Sequence, residues 1–121
     1  MASAYKSPVP EDQHERNIEE LAATLSTGHE KVLAKGRFRI GCAQKALNLY
    51  LKYIWCFGEI GTPPQCPFDS RIIGQLPGFE DVRWPELDKL SEYHLLVEAA
   101  RKKAGAQTSL ADWELHTFDS L

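Results

Sequence analysis

The stretch IGCAQKALNLYLKYIWCF, residues 40–57, decides how this chain folds. Its spacing predicts a helix with apolar residues on most sides, and a helix that is apolar nearly all round is a buried one. The polar exceptions are ordered. At about 100° per residue, Gln44, Lys45, Asn48 and Lys52 fall within an arc of roughly 100°. Gly41 joins that arc one turn earlier, as does Arg37 if the helix begins there. The central helix therefore carries one polar, basic stripe, and Leu47, Leu51 and Ile54, away from it, are predicted to be core. With Asn48 and Lys52 interrupting it, the run is too short for a membrane span, which needs about 20 apolar residues.

Outward from this segment the chain continues to read as helix and turn. Gly58 and Gly61 end the central helix, and Pro63-Pro64 forbids its continuation. On the N-terminal side, residues 1–9 read as a loose tail. Pro10, Glu11 and Asp12 suit the first turn of a helix carrying Ile18, Leu21, Ala22 and Leu25, with Gly28 as its stop. A short turn with Val32 and Leu33 leads on to Gly36. On the C-terminal side, Asp69 stands at an N-cap position before Ser70, Arg71, Ile72, Ile73 and Leu76. Pro77-Gly78 is a turn. A further helix, with Pro85 in its first turn, carries Leu87, Leu90, Tyr93, Val97 and Ala100. Arg101, Lys102 and Lys103 complement its negative end, and Gly105 stops it. Ser109 and Asp112 resemble a capping box ahead of a last helix with Leu110 and Trp113. No run alternates with period two, so no strand is expected. The expected fold is all-α: one domain over residues 10–121, about five helices packed around the element at 40–57.

The 121 residues are 43% apolar and 26% charged, which is ordinary for one globular domain. Met1 to Pro8 lacks the charged-then-apolar pattern of a secretory signal, and a cytoplasmic location is expected. The three cysteines suit reduced thiols. Cys42 and Cys56, on one helix, would stand about 21 Å apart, too far to bond; Cys56 and Cys66 could approach across a loop. The net charge of −3 gives no whole-surface attraction to nucleic acid. That average hides an asymmetry: from Lys31 to Gly58 there is no Asp or Glu, while Lys31, Lys35, Arg37, Arg39, Lys45 and Lys52 all lie there.

Several chemistries find no motif. The cysteines form no short-spaced pair and His14, His29, His94 and His116 are scattered, so no zinc site is expected. No glycine-rich phosphate loop is present, and no cofactor is expected. The stripe is the remaining candidate. Either Lys45 and Lys52 reach solvent with their stems along apolar neighbours, or the stripe lines a cleft for an anion or nucleobase, with Asn48 as a neutral partner. A lysine against an apolar wall has a lowered pKa and serves as a Schiff-base nucleophile. Asp69 likewise has two readings, a helix cap or a carboxylate aimed at the lysines. Trp55, Trp84, Trp113, Tyr50, Tyr53 and Tyr93 are either core or stacking platforms for bases.

The run Ile40-Gly41-Cys42-Ala43-Gln44-Lys45, followed by Pro67-Phe68-Asp69-Ser70-Arg71-Ile72, resembles the heart of the helix-hairpin-helix DNA glycosylases, the archaeal-type 8-oxoguanine glycosylases in particular. The resemblance covers about residues 33–76. It implies that Gly41 is the hairpin glycine and Lys45 the Schiff-base lysine. Asp69 would be the catalytic aspartate of a Pro-x-Asp-x-Arg segment completed by Arg71, 24 residues after Lys45. The leading expectation is thus binding of nucleic acid or a nucleotide-like anion through Arg37, Arg39, Gly41, Gln44, Asn48, Lys52 and Arg71. Lys45 and Asp69 would carry any glycosylase or lyase chemistry. The alternatives are a non-catalytic helical interaction protein, with a homo-oligomer as one form of it, and a small-molecule binding protein.

Overall fold

The computed structural model describes residues 2–29 and 39–120. Arg37, Gly36 and the turn expected at Val32 and Leu33 lie outside them. Among the described residues there are five α-helices: α1 (Glu11–His29), α2 (Ile40–Cys56), α3 (Ser70–Ile73), α4 (Leu90–Ala104) and α5 (Leu110–Ser120). No strand occurs among the described residues. The all-α expectation holds, and none of these helices is long and apolar enough to cross a membrane.

Helix α2 is central, packing against α1, α4 and a 3-10 turn at Trp84–Glu86. Leu47 (5% exposed), Leu51 (0%) and Ile54 (9%) are core, as their spacing predicts. They pack in one cluster with Ile18, Phe68, Ile72, Tyr93 and Leu96. At 19 residues α1 is longer than the 17 of α2, so the central helix is not the longest. It extends past Gly28 to His29.

Local sequence explains most of the helix boundaries. The Pro10 carbonyl accepts the first bond of α1, from His14 N–H at 2.9 Å. Gly58, at φ 79°, closes α2 and donates to the Trp55 carbonyl at 2.9 Å. Asp69 caps α3, accepting from Ile72 N–H at 3.1 Å. Ser109 Oγ accepts from Asp112 N–H at 3.1 Å; the shorter Asp side chain meets the Ser109 hydroxyl at 2.8 Å instead of reaching back to the backbone.

Two expectations need correction. Pro85 does not begin α4. It sits in the Trp84–Glu86 turn, Leu87 is extended, and α4 starts at Leu90, where Glu92 reaches back to Lys89 N–H at 3.1 Å. Residues 2–6 are also more than a loose tail. They form a 3-10 turn whose Tyr5 is 4% exposed and bonds His14. A single tyrosine finds both an apolar pocket and a polar partner there, and no periodicity announces that.

Among the described glycines, Gly41 permits the closest approach. A Cβ on it would lie 1.6 Å from the Trp84 carbonyl oxygen, and its N–H donates to Leu87 O at 2.9 Å. Only glycine lets the 84–87 segment lie across the start of α2.

Candidate functional site

The sectors of α2 divide its work. Toward the core it presents leucines; the next sector holds Gln44 and Asn48, each 0% exposed. Gln44 clamps the main chain of Phe68: its Nε2–H donates to Phe68 O at 2.7 Å, and its Oε1 accepts from Phe68 N–H at 3.1 Å. That backbone donor fixes the rest of the network. Gln44 Oε1 also accepts from Asn48 Nδ2–H at 3.2 Å, which leaves Asn48 Oδ1 as the acceptor facing His14 Nε2 at 2.6 Å. His14 must therefore donate from Nε2, and its Nδ1 accepts from Tyr5 O–H at 2.7 Å. Asn48 Nδ2 also donates to Tyr93 Oη at 3.1 Å, and Tyr93 O–H donates to Gln65 Oε1. Gln65 Nε2–H in turn donates to Glu15 at 3.0 Å. Among the described residues no buried side-chain nitrogen or oxygen lacks a partner.

Burial holds His14 neutral, lowering its pKa to about 4 against the opposing pull of Asn48 and Glu11. Burial likewise raises the Tyr93 hydroxyl and the Cys66 thiol well above their ordinary values. Gln44 and Asn48, expected as ligand contacts, are thus interior residues. A buried amide must satisfy its polar atoms, and these two do so within the protein. Gly41 is also internal, its N–H taken by Leu87.

The third sector of α2 borders an open cleft of about 450 Å³. Lys45, Leu49, Lys52 and Tyr53 form one wall, Pro67 and Asp69 of the loop before α3 a second, and Glu114 and Leu115 of α5 a third. The two lysines and the aspartate singled out in the sequence therefore share one cavity. Asp69 is carried there by the loop that Gln44 clamps at Phe68. Lys52 Nζ lies 3.0 and 3.1 Å from the two carboxylate oxygens of Glu114, with side chains only 17% and 4% exposed. Lys45 Nζ stands 4.2 Å from the centroid of the Trp84 ring, a cation–π contact.

Comparison with protein families, curated proteins and solved structures finds no match. The chemistry of the cleft is therefore read from its own side chains. Arg39 immediately precedes α2 and is half-buried, and Arg71 is exposed on α3; neither lines the cleft. Cys42, Cys56 and Cys66 are all free thiols, and no group of His, Cys, Asp and Glu among the described residues is arranged to hold a metal.

Sequence reasoning missed Glu114, and it named Trp84 as core or a base platform without foreseeing its contact with Lys45. Glu114 falls at the i+4 position from Leu110, on the buried face of α5, and an acid there has to be paired. That signal was available, but its partner lies 62 residues away. With Lys52 and Glu114 paired, Lys45 and Asp69 remain to meet a ligand between Leu49, Pro67 and Leu115. The cleft can hold a ligand that offers an anionic or carbonyl group to Lys45 and a donor to Asp69.

Proposed function

We propose that the protein binds nucleic acid or a nucleotide-like anion through the outer face of α2, with Lys45 and Asp69 meeting the ligand in the cleft. The observation that carries this reading is that Lys45, Lys52 and Asp69 line one open cavity. The acid-free composition of residues 31–58 supports it.

The enzymatic form is a lysine-dependent DNA glycosylase or lyase. On an abasic site the free amine of Lys45 adds to the sugar aldehyde at C1′, and water leaves as the C=N bond forms. Asp69 accepts and returns the protons. Because Lys52 is engaged by Glu114, Lys45 is the nucleophile in this scheme.

Borohydride reduction of the imine to a stable secondary amine tests it. Wild-type protein is expected to trap abasic DNA, Lys45→Gln to trap none, and Asp69→Asn to trap slowly. The asparagine still caps α3, so its effect isolates the charge. Binding without trapping would leave a non-catalytic nucleic-acid protein. No binding of DNA or RNA at low salt would remove the reading in favour of a helical interaction protein.

A further inference from the structure

We propose that the outermost sector of α2 is a stacking ladder for unpaired nucleobases, so that the polymer bound is single-stranded. The inference rests on the nucleic-acid reading above and narrows it. Tyr50 is 48% exposed, Tyr53 56% and Phe57 82%. The other large apolar side chain left so open among the described residues is Leu95, on α4. At positions i, i+3 and i+7 the three rings fall within about 60° of one another on the helix surface, at rises of about 4.5 and 6 Å.

The character of the face selects its occupant. Every member is a flat ring, and base–aromatic stacking accepts any base because each has a π-face. A duplex buries those faces within its own stack and offers only edges and phosphates, which call for no aromatic row. Charge points the same way: Arg39 and Lys45 lie on or beside α2, Lys52 is paired with Glu114, and the first acid in the sequence after Arg39 is Glu59, beyond Phe57. A second copy of the chain, docked α2 against α2 about a two-fold axis, would instead bring two helices that carry no acid of their own against each other. Tyr53 also walls the cleft, so a strand lying along the ladder passes its mouth.

The test is fluorescence anisotropy on the full chain with a labelled oligothymidylate of about 12 nucleotides, and with a duplex of the same length, at low and raised salt. The single strand is expected to bind more tightly than the duplex. Phe57→Ala and Tyr53→Ala are each expected to weaken it about tenfold, whereas Tyr53→Phe, which keeps the ring, retains affinity. These side chains are exposed, and thermal melts of the variants verify the fold.

If duplex binds as well as single strand and the alanine variants change nothing, the ladder is overturned while the nucleic-acid reading stands. If neither form binds at low salt, both fall. If the wild-type chain sediments as a dimer that Phe57→Ala dissolves, the face belongs to a second copy and the ladder is overturned.

Discussion

Asn48 shows how much one side chain can hold in place. It receives the His14 proton and donates to both Gln44 and Tyr93, with none of its surface exposed. Asn48→Leu keeps the volume but strands those partners in the interior, and is expected to lower stability by about 3 kcal/mol in urea titration. The same site gives a pH dependence. His14 is held near a pKa of about 4, below its ordinary value. The unfolded chain therefore binds the extra proton as pH falls through the ordinary histidine range. Stability is full above that range, is lost on the way down, and stops changing on this account below the folded value. The full depression corresponds to about 3 kcal/mol. His94 works oppositely: its hydrogen bond to Glu15 raises its pKa, so its contribution is present at lower pH and fades as pH rises. In a His94→Gln background, urea midpoints should fall steadily from about pH 6.5 to 5; a flat profile there would contradict a neutral, buried His14.

Between elements, the approach of the 84–87 segment to α2 decides the geometry around Lys45. Gly41→Ala drives a methyl into the Trp84 carbonyl and is expected to destabilise by about 2 kcal/mol or more. It should also disturb the Lys45–Trp84 contact, visible as a change in tryptophan fluorescence. Leu51→Ala, in the middle of the same helix, is expected to cost about 2–5 kcal/mol. The leucine was legible from periodicity alone, and so were the Asp69 cap, the Gly58 and Gly105 terminations and the basic last turn of α4. Each is decided within a few residues of chain. The glycine was legible only as a glycine. The resemblance made it a hairpin glycine at a nucleic-acid contact, and packing gives it a carbonyl to admit. The break before α4 was hidden for a related reason: Pro85 suits the first turn of a 3-10 element as well as that of an α-helix.

Over the whole molecule, the cleft exists because α5, packed on α3 and α4, brings Glu114 and Leu115 opposite α2. Glu114 and Lys52 form an ion pair in its wall, and both are largely buried. Glu114→Ala leaves Lys52 in a poorly solvated place and is expected to cost about 3–5 kcal/mol, while Lys52→Met with Glu114→Leu restores much of the loss; a double-mutant cycle by urea unfolding measures the coupling. Sequence by itself determined the helical class, the central position of α2, its leucine core and the candidacy of Lys45, Lys52 and Asp69. Those features follow from apolar period, capping chemistry and charge content, which are local. Tertiary structure decided which polar residues of α2 face inward: Gln44 and Asn48 sit one helical sector from the lysines, and their burial depends on Phe68, Tyr93 and His14 arriving from other elements. It also decided that Lys52 meets Glu114 and that Tyr50, Tyr53 and Phe57 remain outside. The helical period places a residue on a face, but which faces are covered is set by segments that close only when the chain folds.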